Sequence, residues 1–364
     1  MNHAVKSVPL ASDSEAPSDL ATGTIATLME NATAEDIGTG DIADSIALLK
    51  STSLWTDDGT NAPASTARHL MQLGGANLSV GRLIEGHVNG LYLIRTHGHI
   101  ALQSRVDALV KQGAMLGVWG ADGPAPLVVS ANGAMLQGGK TFASGLGVVT
   151  HAVASVGTDA GARLALIDVT DKRRQDASTW QMQGMKATVS GNFDFDGIPV
   201  RDITWIGNAG DYFKEPHFVG GVWRIAALQT GGAVGLLERA AAQLRELGRM
   251  GAEAQHIRLG RLVTRALGAA ALTQRAAGQV VSLPPDQAVA TSIAARLLTE
   301  DVALDTIRGV QQSLGLGHFR AGSETDRMVR DLSVYLRQAA GDAMLLNMSK
   351  TSFEDAGSLW RLIP

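Results

Sequence analysis

Two short stretches of the sequence combine residue types that could bind a phosphate group or a metal ion. Gly139, Lys140 and Thr141 are spaced like the end of a phosphate-binding P-loop, in which backbone amides and a lysine hold the phosphates. That motif needs a glycine five residues before its Gly-Lys pair, and this position is Ala134. A strand is predicted after the lysine, where a P-loop continues into a helix. The P-loop interpretation therefore has little support.

His97 and His99 are separated by one residue, a spacing that can ligate a metal ion. No nearby carboxylate completes a recognisable site, and we expect surface histidines at a helix end. The chain contains no cysteine, which excludes disulfides, thiolate catalysis and cysteine-based zinc or iron–sulfur centres. No Gly-x-Ser-x-Gly motif points to a serine hydrolase. We therefore predict no metal site.

Arg224 follows Trp223 inside an apolar pattern at the start of a long predicted helix. A guanidinium group is costly to bury unless an anionic partner accompanies it. Arg224 could therefore orient a carboxylate or carbonyl group of a bound molecule. A structural ion pair is the alternative interpretation.

The elements that must position these residues follow an α–β–α order. Residues 19–113 show helical spacing of apolar residues, and the period then changes to short β-strands. Asn132-Gly133 between two apolar runs predicts a β-hairpin with a type I′ turn. From Gly220 onward four helices of 20 or more residues are predicted, with Asp286 and Ser323 as caps of the third and fourth. This order does not match a βαβ repeat.

The predicted fold class is α+β with four segments. A disordered tail at 1–19 precedes an N-terminal helical domain at 20–115, a middle β-barrel or sandwich domain at 116–206, and a C-terminal four-helix bundle at 207–364. The net charge of −4 gives no reason to expect a nucleic-acid partner. No run of 18 apolar residues predicts a membrane span, and no signal peptide is recognisable, so we expect a cytoplasmic protein.

This order of elements, with the stretches 138–145 and 309–317 and the pair Arg330-Asp331, resembles the acyl-CoA dehydrogenase family of FAD enzymes. The resemblance covers nearly the whole chain. It implies an FAD between the β domain and the bundle, partly covered by a neighbouring subunit. A homodimer or homotetramer is therefore expected.

The resemblance also implies which residues contact FAD. The stretch 117–122 occupies the place of the family's flavin loop, although Ala121 and Asp122 replace the usual Thr-Glu and the proline is missing. The stretch 140–144 matches the family's Lys-x-Trp-Ile-Thr, in which the aromatic residue packs beside the flavin and the hydroxyl bonds its N5 edge. The stretch 83–87 resembles the helix that lines the acyl pocket. The FAD-binding residues so implied are Trp119, Ala121, Phe142 and Ser144, with Gln311 and Gly315 reaching FAD from a neighbouring subunit.

One position departs from the family in a way that affects the chemistry. Members oxidise an acyl thioester, on CoA or another carrier, to its α,β-enoyl form, and a glutamate removes the α-proton. Nine residues after Arg330, where most members carry that glutamate, this chain has Ala339. Asp342 and Glu215 are the candidate replacement bases, and Arg224 could orient the thioester carbonyl. The acyl chain and the electron acceptor are left open.

Two alternatives to thioester oxidation remain open. Some relatives of the same fold use reduced flavin and oxygen to oxidise nitrogen or carbon, and they need no α-proton base. Loss of the glutamate suits that activity. The second alternative is a non-catalytic relative that keeps the fold without turnover.

Overall fold

The structure, a computed structural model, describes residues 19–363. Of the predicted tail at 1–19, all but Asp19 lies outside the described residues. Asp19 forms an ion pair with Arg68, and the Leu20 amide donates to the Gln72 side chain. Five helices follow: α1 (Thr22–Asp36), α2 (Ile42–Leu49), α3 (Pro63–Ala76), α4 (Leu78–His97) and α5 (Ile100–Lys111).

The β-strands then form two open sheets, so the barrel form of the prediction is wrong and no closed barrel is present in the part of the chain that is described. One sheet has the order β3-β2-β5-β6-β9 with β1 parallel to β5, and the other has the order β4-β8-β7. The strands are β1 (Leu116–Trp119), β2 (Val128–Val129), β3 (Leu136–Gln137), β4 (Gly139–Ala143), β5 (His151–Thr158), β6 (Gly161–Asp168), β7 (Gln175–Asp176), β8 (Gly191–Asp194) and β9 (Thr204–Ile206).

The predicted hairpin at Asn132-Gly133 is confirmed, but its connection is longer than two residues. Strands β2 and β3 pair antiparallel, with Val129 opposite Leu136. The Ser130 amide donates to the Met135 carbonyl, so residues 130–135 form the turn. Only Gly133 has a positive φ there, 72°, whereas a type I′ turn needs two such residues.

The C-terminal half is helical, as predicted, although its fourth helix is shorter than expected. Ser323 caps that helix by accepting from the Asp326 amide. Asp286 lies in the first turn of α8 and does not cap it, because the helix already begins at Pro285 and Pro284 holds the N-cap position. The helices are α6 (Trp223–Glu246), α7 (Glu253–Gln279), α8 (Pro285–Leu314), α9 (Glu324–Tyr335), α10 (Gly341–Ser352) and α11 (Ser358–Leu362).

Helices α3 and α6 cross with their backbones in contact, and glycines make this possible. A Cβ atom added at Gly74 would overlap the Leu228 carbonyl, and one added at Gly231 would overlap the Met71 carbonyl. This crossing fixes α6, whose first turn carries Arg224, against the N-terminal helices. No helix within residues 19–363 is long and apolar enough to cross a membrane.

Candidate functional site

Strand β4 presents an aromatic side chain to solvent at a β-bulge. The register against β8 shifts between Lys140 and Ala143, and Phe142 within this stretch has a φ of 51°. A positive φ is strained for a bulky residue and is typical of binding sites. The Phe142 ring is 56% exposed and meets Trp180 edge to face at 6.4 Å. The bulge therefore places an exposed aromatic side chain, with the half-buried Trp180 beside it, on this edge of the sheet.

Ser144 lies directly after this strand with a hydroxyl that is free to donate. Ser190 donates to the Ser144 hydroxyl oxygen at 2.9 Å, and the Ser190 hydroxyl is itself 2.8 Å from that of Thr188. Because the Ser144 oxygen accepts, its own proton can point outward. The Trp119 indole N–H donates to the Ser144 carbonyl at 3.1 Å. Trp119 is buried and supports Ser144 from inside.

Lys140 fixes the loop that follows β1. Its side chain is fully buried, and its Nζ lies 3.3 Å from the Gly120 carbonyl, 2.6 Å from Asp122 and 3.0 Å from the Ser155 hydroxyl. Burial lowers the pKa of Lys140, and Asp122 opposes that shift. The Thr141 amide also donates to the carbonyl of Ala121, whose side chain is exposed.

The chemistry of this edge fits the ring of a flavin. A flavin ring needs a flat apolar surface beside it and hydrogen-bond donors at its polar edge. The exposed ring of Phe142 and the half-buried ring of Trp180 can supply the surface, and the Ser144 hydroxyl can supply a donor. The structure thus brings together four of the predicted flavin residues, Trp119, Ala121, Phe142 and Ser144. Their role in binding stays a prediction.

Gln311 and Gly315 lie apart from these four, at the C-terminal end of α8. Gly315 is exposed with a φ of 62°, and its amide donates to the Gln311 carbonyl. Within residues 19–363 no hydrogen bond or ion pair joins either of them to β4. They would have to reach a flavin from a second copy of the chain, and this arrangement stays a prediction.

A buried polar cluster centres on Arg224, which is 3% exposed. Its Nη2 donates to Asn89 Oδ1 at 2.7 Å, and its guanidinium carbon lies 5.0 Å from the centre of the Tyr92 ring. Its Nε is buried without a hydrogen-bond partner, 3.8 Å from Glu85 Oε1. Burial lowers the pKa of Arg224, and Glu85 opposes that shift.

Glu85 is the carboxylate of this cluster, and two arginines share it. Arg82 Nη1 lies 2.6 Å from Glu85 Oε2, one helical turn earlier on α4. We call the set Arg82, Glu85, Asn89, Tyr92 and Arg224 the Arg224 cluster. Sequence reasoning missed Arg82 and gave Glu85 no individual role within the stretch 83–87, although charges at i and i+3 inside an apolar helix were a signal that could have found them.

Tyr212 lies between the loop at residues 117–122, the predicted flavin loop, and the Arg224 cluster. A Cβ atom added at Gly120 would lie 3.4 Å from the Tyr212 hydroxyl. Burial raises the pKa of Tyr212, as does Glu85, while Arg224 and Arg82 lower it. The phenol therefore lies next to Gly120 and within electrostatic range of Glu85, Arg224 and Arg82.

Tyr335 approaches the same region from the end of α9. Its hydroxyl is buried without a hydrogen-bond partner. Burial raises the pKa of Tyr335, and the charge of Glu85 raises it further. In the segment after α9, Arg296 donates to the Leu336 carbonyl at 3.2 Å, whereas Ala339 is exposed.

The two predicted bases lie outside the Arg224 cluster. Asp342 is exposed in the first turn of α10, which packs against α8. Glu215 accepts from the Val219 amide at 3.0 Å and from the Gly220 amide at 3.1 Å. Among the residues that are described, no hydrogen bond or ion pair joins either carboxylate to the cluster. Their role as base stays a prediction.

The His97-x-His99 pair has structural partners. His99 caps α5 by accepting from the Leu102 amide at 3.2 Å. His97 meets His217 edge to face at 5.7 Å, and His217 Nδ1 lies 2.7 Å from the Tyr92 hydroxyl. No group of three or more histidine, aspartate or glutamate residues in the described part of the chain could hold a metal ion.

Solved structures of several flavin enzymes share this architecture. The dibenzothiophene monooxygenase TdsC from Paenibacillus sp. A11-2 matches with a TM-score of 0.79 and 17% identity over 92% of this chain and 96% of that one. KijD3, solved with FMN and an aminated dTDP-sugar, matches with a TM-score of 0.75 and 18% identity over 93% of this chain and 94% of that one.

Butyryl-CoA dehydrogenase from Megasphaera elsdenii matches with a TM-score of 0.77 and 16% identity over 90% of this chain and 94% of that one. No protein-family model and no curated protein matches the sequence. The acyl-CoA dehydrogenase fold expected from the sequence is therefore confirmed, with helices at both ends and β-sheets between them. At these identities the likeness shows the fold alone.

Proposed function

We propose that the protein is a flavin-dependent monooxygenase that uses reduced flavin and molecular oxygen. A reduced flavin bound at β4 would supply two electrons, so that one oxygen atom enters the substrate and the other leaves as water. TdsC, a monooxygenase by name, supports the proposal because its fold is shared over 92% of this chain. A separate reductase would deliver the reduced flavin.

One observation carries this proposal: within residues 19–363, the position where a thioester dehydrogenase has its base is an alanine, and the carboxylates of Glu85 and Glu215 are already engaged by other groups. The usual position is Ala339, and it is exposed. Glu85 is shared by two arginines, and Glu215 already accepts from two backbone amides. The oxygens of both carboxylates therefore contact other groups, and neither could reach a substrate Cα–H unless those partners moved. Oxygenation by reduced flavin requires no such base.

The proposed roles follow the geometry of the two parts of the site. Phe142 would pack against the flavin ring, and the Ser144 hydroxyl would donate to the ring edge. Trp119 would support Ser144, and the backbone at Ala121 would face the ring. Arg224, with Tyr212 between it and the flavin loop, would orient the substrate.

The cofactor is proposed to be FMN or FAD. The contacts at β4 concern the flavin ring, which both cofactors share, and TdsC was solved with FMN. FAD would additionally need contacts for its adenosine half, and Gln311 and Gly315 of a second copy are the candidates. Chromatography of the flavin released from purified protein distinguishes the two.

The test is isotope incorporation. The protein is supplied with flavin, NADH, a flavin reductase and ¹⁸O₂, and indole serves as the first probe because TdsC was solved with it. We expect a product that carries one ¹⁸O atom and forms only when the protein is present. A Phe142→Ala variant should lose most of the product and the flavin absorbance together. Flavin binding without oxygen transfer to indole or to any of a panel of aromatic probes would contradict the proposal.

Thioester dehydrogenation is the second candidate, and the buried carboxylate of Glu85 is the observation that favours it. If Arg82 and Arg224 moved to a thioester carbonyl, Glu85 could serve as the base. Butyryl-CoA added without oxygen would then bleach the oxidised flavin and yield the enoyl thioester. Bleaching that is lost in Glu85→Gln would establish this activity.

Further proposals concern assembly and organisation. The C-terminal helices expose large apolar side chains, among them Phe353 at 72% and Trp360 at 78%. Such exposure supports burial against another copy, in a homodimer or homotetramer. We retain the division at 20–115, 116–206 and 207–364 and a cytoplasmic location as proposals. Light scattering at several concentrations tests the assembly.

A further inference from the structure

The Arg224 cluster carries an unbalanced positive charge in a buried place. Two guanidinium groups, Arg82 and Arg224, share one carboxylate, Glu85. Glu215 does not supply the missing charge, because it bonds the amides of Val219 and Gly220 instead. Burying a cation that lacks a full set of partners destabilises the folded state. The sequence nevertheless places this cation in the interior. An anion from outside the chain would explain its presence, because the anion would complete the cluster.

The geometry of Arg224 agrees with an incomplete set of partners. A guanidinium has five N–H donors, and among residues 19–363 Arg224 makes one hydrogen bond, to Asn89. Its Nε is buried and unpartnered. Arg224 is also the second residue of α6, where the helix dipole adds positive potential. Arg82, whose side chain is 25% exposed, gives the cluster an accessible side.

Aromatic rings lie beside the cluster. Tyr212, Phe213 and Phe218 form a triad with ring centres 5.0 to 5.1 Å apart, and Phe213 and Phe218 are 51% and 38% exposed. The Tyr212 hydroxyl lies next to Gly120 in the flavin loop. The triad therefore extends from solvent to the junction between the flavin loop and the Arg224 cluster. Exposed aromatic faces favour a planar apolar ligand.

We propose that the substrate is a planar aromatic molecule with one anionic group, a carboxylate, which pairs with Arg82 and Arg224 while its ring lies against Tyr212 and Phe218. This inference rests on the proposed function for its reaction, but the binding itself needs no turnover. The carboxylate would bring the cluster to two cations and two anions. The ring would then lie beside the flavin loop, where oxygen transfer takes place.

The test compares two probes with the same ring system, 1-naphthoate and 1-naphthamide, by calorimetric titration of the flavin-loaded protein. We expect 1-naphthoate to bind about 10-fold tighter, as for one well-placed charge pair. Arg82→Gln and Arg224→Gln should each reduce this ratio to near one. Glu85→Gln should preserve or increase it, because the competing carboxylate is lost. Arg173→Gln, at a fully exposed site, is the matched control and should leave the ratio unchanged.

Equal binding of the two probes, binding of neither, or a ratio that survives both arginine substitutions would overturn the proposal. Circular dichroism establishes that each variant is folded, and Arg82→Gln carries the test if Arg224→Gln does not fold. If the protein takes up no flavin, the proposed function fails, and the same titration on flavin-free protein still decides the anion site. The two failures are thus separable.

Discussion

Lys140 in the β-sheets and Arg224 at the start of α6 are both buried cations, and their surroundings differ. The Lys140 ammonium has three donors and three acceptors around it, one of them the carboxylate of Asp122. Arg224 has five donors, a single hydrogen bond to Asn89, and a carboxylate at 3.8 Å that it shares with Arg82. Lys140 is satisfied by the fold, whereas Arg224 is not.

The number of partners around each cation distinguishes a structural role, which we assign to Lys140, from the ligand-binding role that we propose for Arg224. A buried polar group with a full set of partners holds elements together, and Lys140 holds the loop at residues 117–122 to β4 and β5. A buried group with too few partners costs stability unless a ligand supplies the rest. Replacing a buried residue that has all its partners, such as Lys140, should therefore lower the free energy of unfolding. Replacing Arg224, which lacks partners, should leave the free energy of unfolding nearly unchanged.

The largest expected effect extends the comparison to His87, a satisfied neutral group. Its Nε2 lies 2.8 Å from the Trp55 carbonyl, and its Nδ1 accepts from the Leu116 amide at 3.0 Å. Burial lowers the pKa of His87 from 6.5 to about 4. Because burial disfavours the protonated form of His87, this residue's contribution to stability is fully present above pH 6.5. It is lost as the pH falls from 6.5 toward 4. The loss should reach about 3 kcal/mol.

Urea unfolding at pH 7, 6, 5 and 4 measures this loss. His87→Gln, which can donate and accept in the same place, should flatten the fall relative to the native chain. Other histidines also titrate in this range, so the difference between the two proteins is the relevant quantity. Parallel curves for the two proteins would mean that His87 is not the group responsible.

The second effect concerns Lys140. Lys140→Met keeps most of the length of the side chain and removes its three hydrogen bonds, so the Gly120 carbonyl and Asp122 each lose one of two partners. We expect the free energy of unfolding to fall by about 2 kcal/mol, below the full penalty for a broken buried pair because Asp122 is 46% exposed. Flavin affinity should fall as well, since the loop is released. Unfolding in urea and flavin titration check the two parts, and an unchanged flavin affinity would remove Lys140 from the site.

The third effect is the matched substitution at Arg224. Arg224→Met should change the free energy of unfolding by less than about 1 kcal/mol, or raise it, because it removes an incompletely paired buried charge. Urea unfolding beside Lys140→Met provides the comparison. A fall in the free energy of unfolding as large as that of Lys140→Met would show that Arg224 is a structural cation. The proposed difference between Lys140 and Arg224 would then be wrong.

The sequence predicted the fold better than the site for a physical reason. Helical and strand periods are local, so the α–β–α order could be predicted from spacings such as those of Leu228, Leu236 and Leu244, all buried in α6. The Asn132-Gly133 hairpin was likewise a local signal. Sheet closure is not local, and the barrel form was wrong.

The partners of buried charges are also set by tertiary contacts. Glu85 and Arg224 are distant in sequence, and the packing of α4 against α6 brings them together. The stretch 83–87 was expected to line a pocket, but nothing local gave Glu85 its partners. Aromatic and hydroxyl residues at 140–144 were identifiable because the motif is continuous in sequence. A buried arginine could be predicted from its apolar surroundings, whereas its missing partner could not.

The smallest expected effects are those of substituting the two carboxylates Asp342 and Glu215, which differ in the same way: Asp342 is exposed, whereas Glu215 has hydrogen-bond partners. Asp342→Asn changes an exposed residue, so turnover and stability should stay within about 2-fold and 0.5 kcal/mol of the native values. Glu215→Gln retains one acceptor for the amides of Val219 and Gly220 and should cost about 1 kcal/mol at most, with turnover kept. Product formation with ¹⁸O₂ and urea unfolding check both variants. If the native protein instead dehydrogenates butyryl-CoA, a 100-fold or greater loss of that activity in either variant, with stability intact, would identify the substituted residue as the base. That result would favour thioester oxidation over oxygenation, because only the former requires a proton to be removed from carbon.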